Sequence, residues 1–132
     1  MLNPLYPDFK VDQFNANKSG YYSFFLSHNH EDHLGGLTAP SRHTSYNVPK
    51  QEWNYGKIYT SEVSAKLLLH RFPHLAPYTI PLKCYTDYHV KGRQVTLLEA
   101  NHCPGATMFL IKGPIGTILH TGDFRYHPRM LD

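Results

Sequence analysis

Long hydrophobic runs, a secretion signal and a disulfide framework are all missing from this sequence of 132 residues. The longest apolar runs, such as Met108–Ile111, are far shorter than the roughly 20 residues that a membrane-spanning helix needs. The segment Met1–Lys10 has no basic start followed by an apolar stretch. Two cysteines, Cys84 and Cys103, can form one disulfide at most. The sequence therefore predicts neither membrane insertion nor secretion and favours the reducing cytosol or nucleus.

Charged residues are also scarce, at 17%, whereas hydrophobic residues make up 41%. This balance excludes intrinsic disorder and is sufficient for a core, and the length allows one domain. The net charge of +3 favours a polyanionic partner without demonstrating one. The ten histidines are more informative, because histidine is the commonest metal ligand and an available acid or base near neutral pH.

Turn-forming residues divide the chain into short segments that favour β-strands. The segment Arg42–Gly56 is polar and lacks a sustained period, so it predicts a surface loop or an insertion. Gly113–Gly116 predicts a hairpin turn, whereas Asn101–Gly105 places a histidine at the tip of a loop that leaves a strand. The pattern is β-rich after Thr79–Leu82. The predicted strands are Lys10–Phe14, Ser23–Leu26, Lys57–Thr60, Gln94–Ala100, Ala106–Lys112 and Thr117–Thr121.

One helix is predicted, at about Glu62–Arg71. Val63, Leu67 and His70 or Arg71 fall at the helical spacings of three and four, which places Val63 and Leu67 on the expected apolar face. Thr60 or Ser61 can cap the N-terminus, and Pro73 ends the helix.

The main chemical signal is an H-x-H-x-D-H motif at residues 28–33, directly after the predicted strand Ser23–Leu26. A tight turn within this motif can direct its second half toward a neighbouring point, so the motif can serve two metals. Imidazole and carboxylate suit Zn²⁺, although they do not distinguish zinc sharply from manganese or iron. No cysteine pair lies nearby, which favours an open hydrolytic site over a closed structural one. The candidate ligands of the motif are His28, His30, Asp32 and His33.

Two further candidate ligands lie far away in the sequence. In isolation, His102 would be an ordinary polar residue at a loop tip, and Asp123 would be an ordinary turn aspartate. Their occurrence together with the histidine motif favours the interpretation that both are metal ligands. A carboxylate such as Asp123 can bridge two cations, and His102 can complete the first metal's ligand set. The alternative is that these residues lie on solvated loops by chance.

Four blocks of the sequence resemble the metallo-β-lactamase-fold, β-CASP nucleases of the Apollo, Artemis and yeast Pso2 group. They follow the family's order across most of the chain. The third and fourth blocks look closer to Apollo, whereas Leu37–Pro40 is similar to Artemis, so the subtype stays open. The blocks are Val11-Asp12, Phe24–His33, Leu97–Leu110 and Gly116–Tyr126.

The resemblance implies an α/β (α+β) fold, β-rich with one clear helix, that forms the N-terminal half of an αββα sandwich. It implies a metal-dependent DNA nuclease, with a 5′-to-3′ exonuclease activity suggested by the Apollo-like blocks, that acts in interstrand cross-link repair, DNA end processing or telomere maintenance. Zinc, as two ions in the complete domain, is the implied cofactor. DNA that is single-stranded or has free ends is the implied partner, and the nucleus is the implied location.

The resemblance also assigns roles to individual residues. His28, His30 and His102 would hold the first metal. Asp32 and His33 would hold the second, and Asp123 would bridge the two. Asp12 matches an aspartate that supports the metal-binding loops from outside the ligand set. The catalytic residues are expected to be Asp32, which can also manage a proton, and Asp123. In the predicted reaction the metals would lower the pKa of a bound water toward about 7, which would prepare it to attack phosphorus.

The sequence departs from the family after Asp123, where only Phe124–Asp132 follow. Residues 1–132 are therefore expected to be a partial metallo-β-lactamase domain, an N-terminal fragment without the β-CASP domain and the C-terminal half. Two alternatives stay open. One is an RNA-processing β-CASP endonuclease or a small-ester hydrolase of the same fold, although the RNA enzymes resemble G-H-x-L-G where this chain has Asn101–Gly105. The other is a catalytically silent metal-binding fragment.

Overall fold

The computed structural model of the chain describes residues 5–15, 20–28, 53–100 and 105–121, together with the backbone of 38–40 and 47–49. Short strands dominate, with a single α-helix in this described part. The elements are β1 (Phe9–Val11), β2 (Ser23–Phe25), β3 (Thr38–Pro40), β4 (Asn47–Pro49), β5 (Lys57–Ser61), α1 (Glu62–Arg71), a 3₁₀ turn (Pro73–Leu75), β6 (Thr79–Leu82), β7 (Asp87–Val90), β8 (Arg93–Glu99), β9 (Thr107–Gly113) and β10 (Gly116–His120).

The strands form two four-stranded sheets and one separate hairpin. The parallel sheet has the order β1-β2-β5-β6, and α1 connects its last two strands. The antiparallel sheet has the order β10-β9-β8-β7 and follows the chain as a meander. The pair β3-β4 is antiparallel.

Apolar side chains fill the space on both sides of the parallel sheet. Neighbouring side chains of a strand point to opposite faces, so Phe25 packs toward the antiparallel sheet while Phe24 packs toward the helix. We call the cluster between the two sheets the inner core; besides Phe25, it contains Phe109 and Val95 from the antiparallel sheet. We call the cluster between the parallel sheet and α1 the outer core; it contains Phe24 and, from α1, Leu68. The resulting layer order of helix, sheet and sheet confirms the predicted α/β fold, β-rich with one helix.

An N-terminal tyrosine ties the beginning of the described chain to the β9–β10 hairpin. The hydroxyl of Tyr6 donates to the carbonyl of Gly116 at 2.7 Å and accepts from its N–H at 3.2 Å, across a sequence separation of 110 residues. Arg93 lies over the Tyr6 ring and pairs with Asp8 at 2.7 Å. These contacts close one end of the inner core.

The predicted bounds of α1 are confirmed, and Ser61 is its cap, since its hydroxyl accepts from the N–H of Ser64 at 3.1 Å. The predicted apolar face is wrong. Val63 and Leu67 are 47% and 48% exposed, whereas Leu68 is completely buried. Apolar residues occur on more than one side of this helix, so spacing alone did not determine which side packs against the sheet.

Three predictions about strands need correction. β1 ends at Val11 rather than Phe14, because Asp12 adopts a left-handed backbone with φ of 56°. β4 lies inside the segment that was predicted to be a loop. β3 was not predicted, and neither was β7. Its hairpin turns at Lys91 and Gly92, which both have positive φ, and lysine is not among the usual residues of that turn.

The predicted hairpin turn at 113–116 is confirmed by the pairing of Gly113 with Gly116. No helix in the described residues has the length and apolar character needed to cross a membrane.

Candidate metal centre

The histidine motif begins where β2 leaves the parallel sheet. The N–H of Leu26 donates to the carbonyl of Tyr59 at 3.0 Å, which extends the pairing one residue beyond β2. Ser27 and His28 follow at the carboxyl end of the strand, and both are buried. In open sheets with parallel strands, ligands bind beyond these carboxyl ends. His28 therefore lies at the edge of the sheet where a site is expected.

Asp12 holds the residue that precedes His28. Its Oδ1 accepts from the Ser27 N–H at 2.8 Å, and its Oδ2 accepts from the Ser27 hydroxyl at 2.6 Å. The same hydroxyl lies 3.0 Å from Nδ1 of His28. The backbone N–H of Asp12 donates to the carbonyl of Phe25 at 2.9 Å, which joins the end of β1 to β2. Asp12 thus supports His28 through Ser27.

The residues that flank His102 in the sequence meet close to Ser27. The N–H of Ala100 donates to the carbonyl of Ala106 at 3.0 Å, which brings together the two ends of segment 101–105. Thr107, the first residue of β9, donates its N–H to the carbonyl of Ser27 at 2.9 Å. The two sheets are therefore joined next to His28, and the base of the 101–105 loop lies at this junction.

Two serine hydroxyls at the start of α1, one from its cap and one from its first turn, bind the carbonyl of Gly105. Ser61 donates to it at 2.7 Å and Ser64 at 2.9 Å. Gly105 has φ of +83°, and a Cβ there would lie 2.8 Å from Oγ and 2.9 Å from N of Ser64. Only glycine fits this contact without strain. We call the Ser61, Ser64 and Gly105 contact the serine clamp; sequence reasoning missed it, because the cap signal at Ser61 does not reveal a distant partner.

The predicted site residues divide into two groups. Asp12 and His28 are described, and the structure joins them through Ser27. The other predicted residues lie outside the described residues, so their roles stay predictions: His30, Asp32, His33, His102 and Asp123. Within the described part of the chain, no three His, Cys, Asp or Glu side chains come together as a metal-binding group.

The donor chemistry of His28 fits a metal ion. Its Nδ1 faces the Ser27 hydroxyl, so Nε2 is the ring nitrogen that a cation would use. A metal-ligating histidine commonly makes such a hydrogen bond through its other nitrogen, and this contact fixes the ring's orientation.

Cys84 differs from the cysteines of thiolate metal sites. Burial raises the pKa of its thiol, and the negative charges of Glu99 and Glu62 raise it further. Since the thiolate is the metal-binding form, this environment opposes metal binding by Cys84 near neutral pH.

No protein-family model matches the chain. Individual relatives do match. The chain is 44% identical over 109 residues to 5′ exonuclease Apollo of Gallus gallus, and this alignment covers 81% of the chain and 21% of the relative. It is 42% identical over 124 residues to human DNA cross-link repair 1A protein, covering 92% of this chain and 11% of the relative. It is 36% identical over 132 residues to protein artemis of Gallus gallus, covering 91% and 18%. The chain thus spans about a fifth or less of these relatives' lengths.

Among solved structures, the crystal structure of a protein of unknown function from Enterococcus faecalis V583 aligns with a TM-score of 0.53 and 23% identity. The alignment covers 86% of this chain and 28% of that chain, and it supports the fold alone. The fission yeast cross-link repair protein pso2/snm1 adds a relative at 39% identity over 129 residues, covering 94% of this chain and 21% of its own length. The chain therefore belongs to the family of the Apollo, Artemis and SNM1/Pso2 proteins.

Proposed function

We propose that this chain carries the N-terminal metal-binding part of a metal-dependent DNA nuclease that hydrolyses phosphodiester bonds during DNA repair. The observation that carries the proposal is the hydrogen-bonded series from Asp12 through Ser27 to His28 at the carboxyl end of β2. A half-buried carboxylate and a buried serine arranged behind a histidine are the kind of support that a metal ligand needs. The names of the relatives support the repair nuclease class.

The proposed ligand set follows the sequence motifs. His28, His30 and His102 would hold one cation, Asp32 and His33 a second, and Asp123 would lie between them. The contact of Thr107 with Ser27 supports the place of His102 in this set, because it brings the base of the His102 loop to the residue before His28. Zinc is the proposed metal, since imidazole and carboxylate are among its ligands.

The residues of the proposed site and its supports have different roles in the proposed hydrolysis. When bound, the cations would lower the pKa of a water molecule and offset the negative charge that develops on the phosphate oxygens. Asp12 and Ser27 keep the His28 ring in its binding orientation. Asp32 accepts a proton from the attacking water, and the serine clamp holds the base of the His102 loop.

The finer assignments belong to the same proposal. The substrate is DNA that is single-stranded or has free ends, attacked in the 5′-to-3′ direction. The work of the enzyme is interstrand cross-link repair, end processing or telomere maintenance, in the nucleus. The relative named 5′ exonuclease Apollo supports the direction, and the relative named DNA cross-link repair 1A protein supports the process. We propose that the 132 residues form one part of the complete catalytic domain.

The test combines metal analysis of the purified chain with cleavage of end-labelled single-stranded DNA. Asp32→Ala and His33→Ala are compared with the wild type and with His89→Ala, a change at an exposed histidine of β7. The proposal predicts that Asp32→Ala lowers cleavage by about 10²- to 10⁴-fold, the range for a lost acid or base. His89→Ala should match the wild type.

Three other results would contradict the proposal. Equal cleavage by all four proteins would remove the site assignment. Bound metal without cleavage of any substrate would favour the catalytically silent alternative. Faster cleavage of an RNA of the same sequence, or of a small ester, would favour the other hydrolases of this fold.

A further inference from the structure

A cavity of about 310 Å³ lies at the end of the parallel sheet opposite the candidate metal centre. Its lining includes Ser23 and Lys57, which pair at the amino ends of β2 and β5, and Lys91, at the turn between β7 and β8. His28 follows the other end of β2, so the cavity is separate from the metal centre. The volume is at the lower end of the range for small-molecule sites, about 300–1,000 Å³. We call this space the lysine cavity.

Two ammonium groups border the lysine cavity. Lys57 is exposed, and its side chain makes no hydrogen bond or ion pair within the described part of the chain. Lys91 is also exposed and donates to the backbone carbonyl of Tyr21 at 2.6 Å, which holds it beside the cavity. An ammonium has three hydrogens to donate, so this bond leaves Lys91 able to bind a ligand as well. Both side chains therefore offer hydrogen-bond donors and positive charge.

Among the described residues, the one carboxylate near the lysine cavity already has a partner. Asp8, whose backbone carbonyl accepts from the N–H of Ser23 at 2.8 Å, pairs with Arg93 at 2.7 Å. The other described acidic residues lie at the opposite ends of their strands or just beyond them: Asp12 after β1, Glu62 after β5, Asp87 at the start of β7 and Glu99 at the end of β8. Lys57 and Lys91 thus form a positive surface that suits an anion.

An aromatic side chain gives the lysine cavity a second kind of contact. Tyr59 lines the cavity, and its ring stacks on Phe25 with the centroids 5.4 Å apart and the planes at 25°. Burial raises the pKa of Tyr59, so its hydroxyl keeps its hydrogen at neutral pH and can donate to an anion. The planar ring can also pack against a nucleobase, a contact that accepts any base because every base has a π-face. The cavity therefore combines charge with an aromatic surface.

We propose that the lysine cavity binds a nucleoside monophosphate, with the phosphate on Lys57 and Lys91 and the base against Tyr59. Inorganic phosphate matches the charges but not the aromatic wall, and the volume has room for one small ligand rather than several nucleotides. The nucleotide can be free or can be the terminal unit of a nucleic acid strand, because both present the same phosphate and base. The inference concerns the metal-free chain and goes beyond the proposed nuclease site.

A titration of the ¹⁵N-labelled, metal-free chain with deoxyadenosine monophosphate tests the proposal. A chelator keeps metal out of the buffer, and amide chemical shifts report both the affinity and the place of binding. The wild type should bind this nucleotide at least about 10-fold more tightly than deoxyadenosine or inorganic phosphate, because only the nucleotide uses both kinds of contact. Added salt should weaken the binding, since both lysines are exposed.

Three lysine variants distinguish the cavity from a general effect of charge. Lys57→Gln should weaken nucleotide binding by about 3- to 10-fold, the effect of losing one exposed charged contact. Lys57→Arg keeps the charge and should recover most of the lost affinity. Lys66→Gln is the matched control, because it removes the same charge at an exposed position of α1, and it should bind as the wild type does. Both lysines are exposed, so all three variants should fold.

The largest shifts should occur at the amides of Ser23, Lys57 and Lys91. Absence of binding by the wild type, or equal affinities of Lys57→Gln and the wild type, would overturn the proposal. Shifts confined to Ser27 and Ala106 would place the nucleotide at the metal centre and would overturn it as well.

A short single-stranded DNA with a 5′-phosphate distinguishes the two sources of the ligand. If it binds more tightly than the nucleotide and Lys57→Gln still weakens it, the cavity takes the end of a strand. If it binds equally or more weakly, the cavity takes the free nucleotide. The proposed function fails separately: absence of DNA cleavage leaves nucleotide binding in chelator unaffected, and absence of nucleotide binding leaves the metal centre standing.

Discussion

Single residues in the left-handed backbone region set the geometry around the candidate centre. Asp12, with φ of 56°, turns the chain out of β1 so that its carboxylate meets Ser27. Gly105, with φ of +83°, turns the chain so that its carbonyl meets Ser61 and Ser64. These turns bring Asp12 to Ser27 and Gly105 to the start of α1. The resemblance predicted a supporting role for Asp12, but local patterns indicated neither its partner Ser27 nor the contact of Gly105 with the two serines, because each contact joins residues that are distant in the chain.

Gly105→Ala tests the close approach of the serine clamp, and Gly92→Ala is its matched control. Both glycines have positive φ, but a Cβ at Gly92 meets nothing within 4 Å, whereas one at Gly105 overlaps Ser64. Gly92→Ala should therefore lower the free energy of unfolding by about 1–2 kcal/mol, the cost of the left-handed backbone. Gly105→Ala should lose about 1–3 kcal/mol more from overpacking. Urea unfolding measures both, and equal losses would show that the clamp is not tightly packed.

Cys84 offers a test of local electrostatics. Since burial and the charges of Glu99 and Glu62 raise its pKa, little thiolate exists at neutral pH. Iodoacetamide should modify Cys84 more slowly in the folded chain than in urea, and the midpoint of the pH–rate profile should lie above that of an ordinary cysteine. Glu99→Gln should move this midpoint to lower pH, and Glu62→Gln should move it less. Mass spectrometry of the Cys84 peptide gives the rates; a midpoint unmoved by Glu99→Gln would refute the charge effect.

At the scale of elements, local signals in the sequence predicted the bounds of α1 but not the face of the helix that packs against the sheet. The cap at Ser61 and the proline at 73 act within a few residues, so the bounds of the helix were readable. The face that packs was not, because it depends on the parallel sheet and on the serine clamp, which rotate Leu68 inward and Val63 and Leu67 outward. β7 was missed for a similar reason, since its partner strand β8 supplies its hydrogen bonds.

Leu68→Ala and Leu67→Ala form a pair that tests the orientation of α1. Leu68 belongs to the outer core and has no exposed surface, whereas Leu67 is 48% exposed. Leu68→Ala should lower the free energy of unfolding by about 2–5 kcal/mol. Leu67→Ala should change it by about 0.5 kcal/mol or less, as is usual for a surface position. Thermal or urea unfolding distinguishes the two, and the reverse order would restore the face predicted from the sequence.

On the scale of the whole molecule, two cores share the parallel sheet as their common wall. Phe25 contributes to the inner core and Phe24 to the outer core. Through these two neighbouring residues, β2 packs against both the antiparallel sheet and α1. The same strand leads directly into Ser27 and His28. The sequence predicted this strand and the ligand motif behind it, since alternation and motif spacing are local. The junction of the two sheets at Ser27 required the three-dimensional structure.

The hydrogen bonds between Tyr6 and Gly116 have a consequence for synthesis on the ribosome. The two residues are 110 positions apart, and the tyrosine is made long before its partner. At a translation rate of 5–20 residues per second, the interval is on the order of 5–20 s. Until the end of that interval the nascent segment around Tyr6 lacks the complete β9–β10 hairpin, so the inner core must close late, after this hairpin has emerged.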